Sequence, residues 1–352
     1  MKDNQQISNE KPLNILSPEL NRSRRAYFLY YIATQAVFDR GIFILFLLSQ
    51  GFDDVEIGLL QSVLFAAAFI LEIPTGLLGD KYGRKKSVIT GLLVYIGYCF
   101  GVISFTGLTA FLSFYALYGL AMSLVSGSDR SLIYDLYKQE NRESSFIKLE
   151  SLSRSVGSIV LGLAIILGGV LQTISWDMVY LAYAGALVLS LLAISFVPEP
   201  KIINEHHEED FLVVREASRY FLVGAGRAQL PIILFMALVQ CVTVPYLVFS
   251  QSFFKDMGLS VEAVAWIIAI GQFVCSIGYF TSDKLPPKHR LNIAFIICPF
   301  VLSVLFLISQ LGTLAIIIGV FFMICFIESV ISPIYINHLN QTFESKIRAF
   351  SN

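Results

Sequence analysis

Apolar residues in this chain are gathered into long, nearly unbroken blocks separated by short polar interruptions, and they do not alternate with polar ones. Ten blocks stand out, from about Tyr27 to Ser49, Ile57 to Leu78, Val88 to Phe105, Leu108 to Val125, Val156 to Leu171, Met178 to Val197, Leu230 to Phe249, Val261 to Phe280, Leu291 to Ser309 and Leu311 to Ile331. A helix needs about 20 apolar residues to cross about 30 Å of hydrocarbon, where an isolated segment satisfies its own backbone only by being helical. Blocks this continuous, rich in Leu, Ile, Phe and Gly, are unsuited to barrel strands. The pattern predicts an all-α membrane protein with about ten transmembrane helices.

Composition narrows the class further. Apolar residues make up 56% of the 352 and charged ones 14%, well under the roughly 25% of a soluble domain. Mean hydropathy is +0.70. These values exclude a nucleic-acid-binding domain, a disordered regulator and a secreted disulfide scaffold. Cys99, Cys241, Cys275, Cys298 and Cys325 lie inside apolar blocks without the paired spacing of a metal site, and read as free thiols. Cytoplasmic loops keep an excess of Lys and Arg. With the N-terminus inside, every Lys and Arg except Arg40 and Lys255 falls on the inner face. This reading puts the chain in the inner or plasma membrane with both termini cytoplasmic.

The one long polar stretch between blocks divides the chain. Residues 1–26 read as a cytoplasmic tail, 27–197 as a six-helix bundle, 198–228 as a cytoplasmic linker, 229–333 as a four-helix bundle and 334–352 as a cytoplasmic end. Within the linker, Phe211, Leu212, Val214, Ala217, Phe221 and Leu222 interleave with Arg215, Arg219 and Arg227, which predicts an amphipathic helix on the inner membrane surface. The preceding His206, His207, Glu208, Glu209 and Asp210 read as solvated linker, not a metal site. At an offset of 201, Ser131 pairs with Ser332, Ile133 with Ile334, Tyr134 with Tyr335, Glu143 with Glu344 and Ser144 with Ser345. That self-similarity predicts two six-helix repeats, the second incomplete. Completing it takes roughly 45 further residues, two helices of about 20 each, so the chain is expected to be truncated.

The loop after the second block reads Gly76-Leu77-Leu78-Gly79-Asp80-Lys81-Tyr82-Gly83-Arg84-Lys85-Lys86. Gly79 and Gly83 permit a tight turn and close helix approach, Asp80 puts an acid near a span end, and Arg84 to Lys86 form a compact basic group. The stretch resembles the signature loop of the major facilitator superfamily, G-x-L-x-D-[RK]-x-G-R-[RK]-x, at every defined position. The resemblance implies that family's bundle of two six-helix repeats, and a conformational latch made by Gly76, Gly79, Asp80, Gly83, Arg84 and Lys85. It also implies that Asp80 and Arg84 meet an acid at the inner end of the fourth span, with Asp129 the candidate. Asp80 would further face the N-terminus of an eleventh helix, expected beyond the end of this chain.

Asp39, Arg40, Glu72 and Glu328 fall inside the blocks. A charge at bilayer depth costs about 2.5 to 3.5 kcal/mol on insertion scales, which makes each a functional candidate. Adjacent residues on a helix point about 100° apart, so Asp39 and Arg40 each need a partner on another helix. Arg40 is expected to reach Glu72, either as a proton-coupling site with Asp39 or Glu72 as carrier, or as a fixed structural pair. Glu328 reads as close enough to the inner end to meet water. Gln35, Gln240 and Gln272 add polar groups at depth, and Tyr31, Phe38 and Phe69 are candidate aromatic lining. Pro74, Pro245 and Pro299 are expected to bend their spans, Gly157, Gly162, Gly168 and Gly169 to let the fifth span pack closely, and Trp176 and Tyr180 to anchor at the interface.

No phosphate-binding Gly-Lys-Ser loop and no His or Cys constellation is present, so neither enzymatic chemistry nor a cofactor is expected. The sequence reads as a secondary transporter of a small organic solute by alternating access, coupled to protons. Export of drugs or metabolites and uptake by symport both fit. The Gly162 to Gly169 stretch lacks the Pro of the G-P-x-x-G-G motif of drug exporters. The alternative is a membrane protein that inserts without transporting.

Overall fold

The computed structural model describes residues 17–200, 227, 229–286, 289–310 and 312–342. The linker with His206, His207 and its expected amphipathic helix lies outside the described residues, as does the chain beyond 342.

The first helix, α1 (Pro18–Thr34), starts well inside the stretch read as tail. The Ser17 hydroxyl accepts the Leu20 N–H at 3.0 Å, and Pro18 fills the first helical position, where a missing N–H costs nothing. Helix then stops, residues 35–42 run through turns, and α2 (Phe43–Ser49) resumes the path. The first apolar block is therefore a broken span and not one helix. Next comes α3 (Asp54–Tyr82), opened by a capping box in which the Asp53 carboxylate accepts Glu56 N–H at 2.8 Å and the Glu56 carboxylate accepts Asp53 N–H at 3.1 Å. Then follow α4 (Arg84–Ser104), α5 (Leu108–Val125), α6 (Ser128–Gln139), α7 (Glu143–Gln172) and α8 (Trp176–Ser195). After the linker come α9 (Leu230–Asp256), α10 (Val261–Lys284), the short α11 (Arg290–Asn292), a π turn (Ile293–Ile297), α12 (Cys298–Ser309) and α13 (Leu314–Thr342).

Among the described residues there is no strand, and eight helices are long and apolar enough to cross a membrane. The ninth block is one helical run from Arg290 to Ser309 that contains the π turn at Ile293–Ile297, and Pro299 follows that turn within the run. Pro74 and Pro245 do sit within α3 and α9.

Packing follows from which faces carry large side chains. One buried cluster joins α1, α2, α3, α4, α5 and α8 through Tyr30, Phe46, Leu60, Tyr98, Phe111, Tyr115 and Tyr180. Another joins helices before and after the linker, with Ile42 at the start of α2, Leu45 of α2 and Ile165 of α7 against Phe254 of α9 and Val264 and Ile268 of α10. A third holds α9, α12 and α13 together through Met236, Leu302 and Ile324. The small-residue run on α7 brings backbones together: a Cβ on Gly168 would fall 1.9 Å from the Phe38 carbonyl oxygen, and one on Gly169 would fall 2.6 Å from the Ala265 Cβ.

Gly168→Ala should therefore lower stability by about 1 to 3 kcal/mol through overpacking against immovable backbone. Gly185→Ala, on a helix face where an added Cβ meets nothing within 4 Å, should be neutral or slightly stabilising. Thermal unfolding of the purified variants in detergent checks the contrast.

Candidate functional site

Two polar constructions stand out, the turn between α3 and α4 and the broken span. In the turn, Gly83 takes φ +111°, which a side chain rarely adopts, and the chain reverses directly into α4. No side chain from its own turn caps α4. Glu199, beyond α8, does so instead, its carboxylate accepting the Lys85 N–H at 3.2 and 3.3 Å, while the Lys85 ammonium donates to the Ser195 carbonyl at 2.7 Å. An acid at a helix N-terminus also meets the positive end of the helix dipole. A Cβ on Gly83 would sit 3.2 Å from that carboxylate, so the glycine makes room for the cap. Gly79 lies against Ser128 and Ser87, at 3.1 and 3.6 Å from a built Cβ, whereas Gly76 faces open space.

Arg84 pairs with Asp80 one turn earlier at 3.1 Å and with Asp135 on α6. The expected partner Asp129 is not part of this group. It sits in the first turn of α6, accepting the Arg130 N–H at 2.6 Å and the Tyr30 hydroxyl at 3.3 Å. The reason lies in α6, which begins at Ser128 where the sequence read as loop. Six residues further along that helix, Asp135 faces the turn. Close by, Glu150 holds two arginines, Arg130 at 2.9 Å and Arg154 at 3.0 Å.

The broken span holds Asp39 and Arg40 in turn conformation, and here the expected Arg40–Glu72 pair is absent: among the described residues no carboxylate lies within the 4.0 Å of an ion pair with Arg40. Glu72 is exposed and accepts the Ser126 hydroxyl at 3.3 Å. Asp39 is only 6% exposed. Tyr98, Tyr115 and Tyr180 surround it closely enough that their hydroxyls feel its charge. Tyr180, read as an interfacial anchor, is instead fully buried in this group, with ring centroids 4.7 Å from Phe46 and 6.4 Å from Tyr98. A cavity of about 160 Å³ opens here, lined by Asp39, Arg40, Gln61, Tyr95, Tyr98 and Tyr118, with Val37, Phe43, Leu64 and Met122 among its apolar walls. The aromatic candidates Tyr31, Phe38 and Phe69 do not line it, and Phe69 is 82% exposed. Gln35 packs instead against Gly157.

A break at this depth leaves backbone groups to be satisfied from elsewhere. The Gln251 side chain on α9, 3% exposed, does this twice: its Oε1 accepts the Ile44 N–H at 3.1 Å and its Nε2 donates to the Arg40 carbonyl at 3.3 Å. Beside it the Ser252 hydroxyl donates to Asp54 at 3.5 Å. Sequence reading did not single out Gln251. The signal available was a Gln among apolar residues at the far end of α9.

Glu328 was read as reaching water. Instead it is half-buried on α13, with one oxygen accepting from the Gln240 amide at 3.2 Å and the other buried without a partner. Gln272 is half-buried on α10 and is not hydrogen-bonded to Glu328 or to the Asp39 group among the described residues. The five cysteines are free thiols, and no group of three or more metal-ligating side chains occurs among the described residues.

Among the described residues, eight helices long and apolar enough to cross a membrane form an all-helical bundle. The chain belongs to the Major Facilitator Superfamily, whose family model matches residues 26–351. The MFS-type transporter YxaM of Bacillus subtilis (strain 168), itself uncharacterized, is 24% identical over 264 residues, covering 71% of this chain and 63% of that relative's length. Among solved structures, a point variant of the nucleoside transporter NupG superposes with a TM-score of 0.71 at 15% identity, covering 94% of this chain and 85% of that one. The D-xylose-proton symporter does so with a TM-score of 0.62 at 15% identity, covering 94% and 84%. The chain spans less than two thirds of the length of that Bacillus subtilis relative.

The rearranged acid partner is open to a double-mutant cycle. Arg84→Ala and Asp135→Ala, combined and read by thermal unfolding, should show a coupling of about 0.5 to 1 kcal/mol, the range of partly exposed pairs. Arg84→Ala with Asp129→Ala should show close to none.

Proposed function

We propose that this chain is a secondary transporter that moves a small organic solute by alternating access, coupled to protons, with a six-helix bundle before the linker and a four-helix bundle after it in a cell membrane, and both termini cytoplasmic. The observation that carries the reading is Gln251. A buried side chain from after the linker clasps the broken span from before it, beside a cavity holding Asp39 and Arg40. Toward the same end, contacts across the linker include Ser252 with Asp54, Gly41 with Ile268 and Gly169 with Ala265, and Gly162 meets Phe273 further along α7 and α10. On the positive-inside reading that end is the outer one, so this conformation is closed outward. The opposite end carries the Asp80–Arg84–Asp135 group, in the place of the family's latch. Asp39 is the favoured proton carrier, since Glu72 is exposed and away from Arg40. The xylose-proton symporter of the same fold supports coupling to protons.

Spin labels at Val55→Cys and Lys255→Cys, in a background with Cys241 and Cys275 replaced by Ser, report the closed end. Double electron–electron resonance in nanodiscs should show one short distance for the parent. Gln251→Met, of similar volume but without the two hydrogen bonds, should add a longer-distance population. An unchanged distribution counts against the clasp.

Flux is tested in vesicles carrying an imposed pH gradient, with a panel of nucleosides, pentoses and small carboxylates. At least one should drive proton movement, reduced tenfold or more by Asp39→Asn. Absence of flux across the panel favours a chain that inserts without transporting.

A further inference from the structure

The cavity in the broken span says something about what enters it, and this inference rests on the transport reading only in calling the ligand a substrate. We infer that the cavity takes a small planar carboxylate, one six-membered ring bearing an acid group, with Arg40 as its anion-binding residue.

Size comes first. A volume of about 160 Å³ is close to that of a protein cavity of about 150 Å³ that accepts benzene, so one ring and a short polar group fill it. Its walls give the ring apolar and aromatic contact, from Val37, Phe43, Leu64 and Met122 and from the faces of Tyr95 and Tyr118. Those two tyrosines are themselves T-shaped at 5.2 Å between centroids.

Charge decides the polar group. Asp39 and Arg40 both line the cavity, and their formal charges cancel, but they are not placed alike. The Asp39 side chain is buried, close enough to Tyr98, Tyr115 and Tyr180 that their hydroxyls feel its charge. The Arg40 side chain is exposed, and the hydroxyls of Tyr95 and Tyr118 lie within range of its charge. No carboxylate of the described residues pairs with it. The break also fixes the arginine's backbone, because its carbonyl is held by Gln251. A guanidinium presents a planar fork of N–H donors that matches a carboxylate in two parallel hydrogen bonds. Asp39 feels the Arg40 charge without making an ion pair with it; a cation at bilayer depth with no carboxylate in ion-pair contact is costly, and an anionic ligand offsets that cost. Gln61 and the tyrosine hydroxyls add further donors around the same space.

The purified 352-residue chain in nanodiscs is titrated calorimetrically with three probes of one shape: benzoate, benzyl alcohol and benzylammonium. Benzoate should bind at least tenfold more tightly than either of the others, and Arg40→Met should erase that preference while Arg40→Lys keeps part of it. Equal binding of all three, tighter binding of benzylammonium, or no binding of benzoate each overturns the inference, and these comparisons on the parent protein need no variant to fold. Proton flux in vesicles is read separately. Benzoate bound but not moved rejects the transport reading and leaves the cavity assignment standing. Flux with another solute, without benzoate binding, does the reverse.

Discussion

The structure depends most on a requirement of the bilayer interior: every backbone N–H and C=O there must find a partner, because no water is available to supply one. Unbroken helices meet it by themselves. The span from Pro18 to Ser49 does not, since residues 35–42 leave the helical ladder in turns at its middle. What makes the break tolerable is a side chain from elsewhere, Gln251, that serves one donor and one acceptor of the broken stretch at once. The functional features cluster around this solution. The break turns Asp39 inward and Arg40 outward, it opens the cavity between α2, α3, α4 and α5, and it binds helices on the two sides of the linker to each other.

The same economy appears at the turn between α3 and α4. Gly83 is needed twice over, once for its positive φ and once because the Glu199 carboxylate occupies the space a side chain would take. The cap comes from past α8, so the start of α4 is tied to the end of the first group of helices. Arg84 then binds Asp80 on its own turn and Asp135 on α6. Three elements are thus pinned by one short loop, through contacts that are partly exposed and individually weak. Weakness suits a contact that must be made and broken, and a rigid buried network would not release.

Much of this was legible in the residues. Block length and continuity carry the helices because they report a bulk property, the solvent that surrounds the chain. Breaks are harder to see. Residues 35–42 mix Gln35, Asp39, Arg40 and Gly41 with apolar positions, but Asp39 and Arg40 were read as charges on a continuous helix. The start of α1 was written in Ser17-Pro18-Glu19, a capping residue, a proline at the first position and an acid in the first turn, yet polarity led to its being read as tail. Asp129 was chosen over Asp135 because loop residues were assumed where α6 forms, and helix periodicity moved the acid by six positions. Tyr180, Gln251 and Glu328 were missed or misread for one reason. Their roles come from side chains on helices far away in sequence, and a single chain of letters does not state those pairings.

One residue joins the cavity to the contact across the linker. The Arg40 side chain faces the cavity, and its carbonyl accepts the Gln251 amide. An ordinary hydrogen bond contributes about 0.5 to 1.5 kcal/mol net, so the two bonds to Gln251 amount to about 1 to 3 kcal/mol. That is the size of a typical coupling between two sites, a factor of about 5 to 150 in an equilibrium. A ligand that draws the guanidinium into a new position strains or relaxes the peptide behind it, and Gln251 feels that directly, with no intervening chain of residues. Coupling of binding to closure in this protein then needs no long pathway through the bundle. It needs only a helix broken at the residue that touches both.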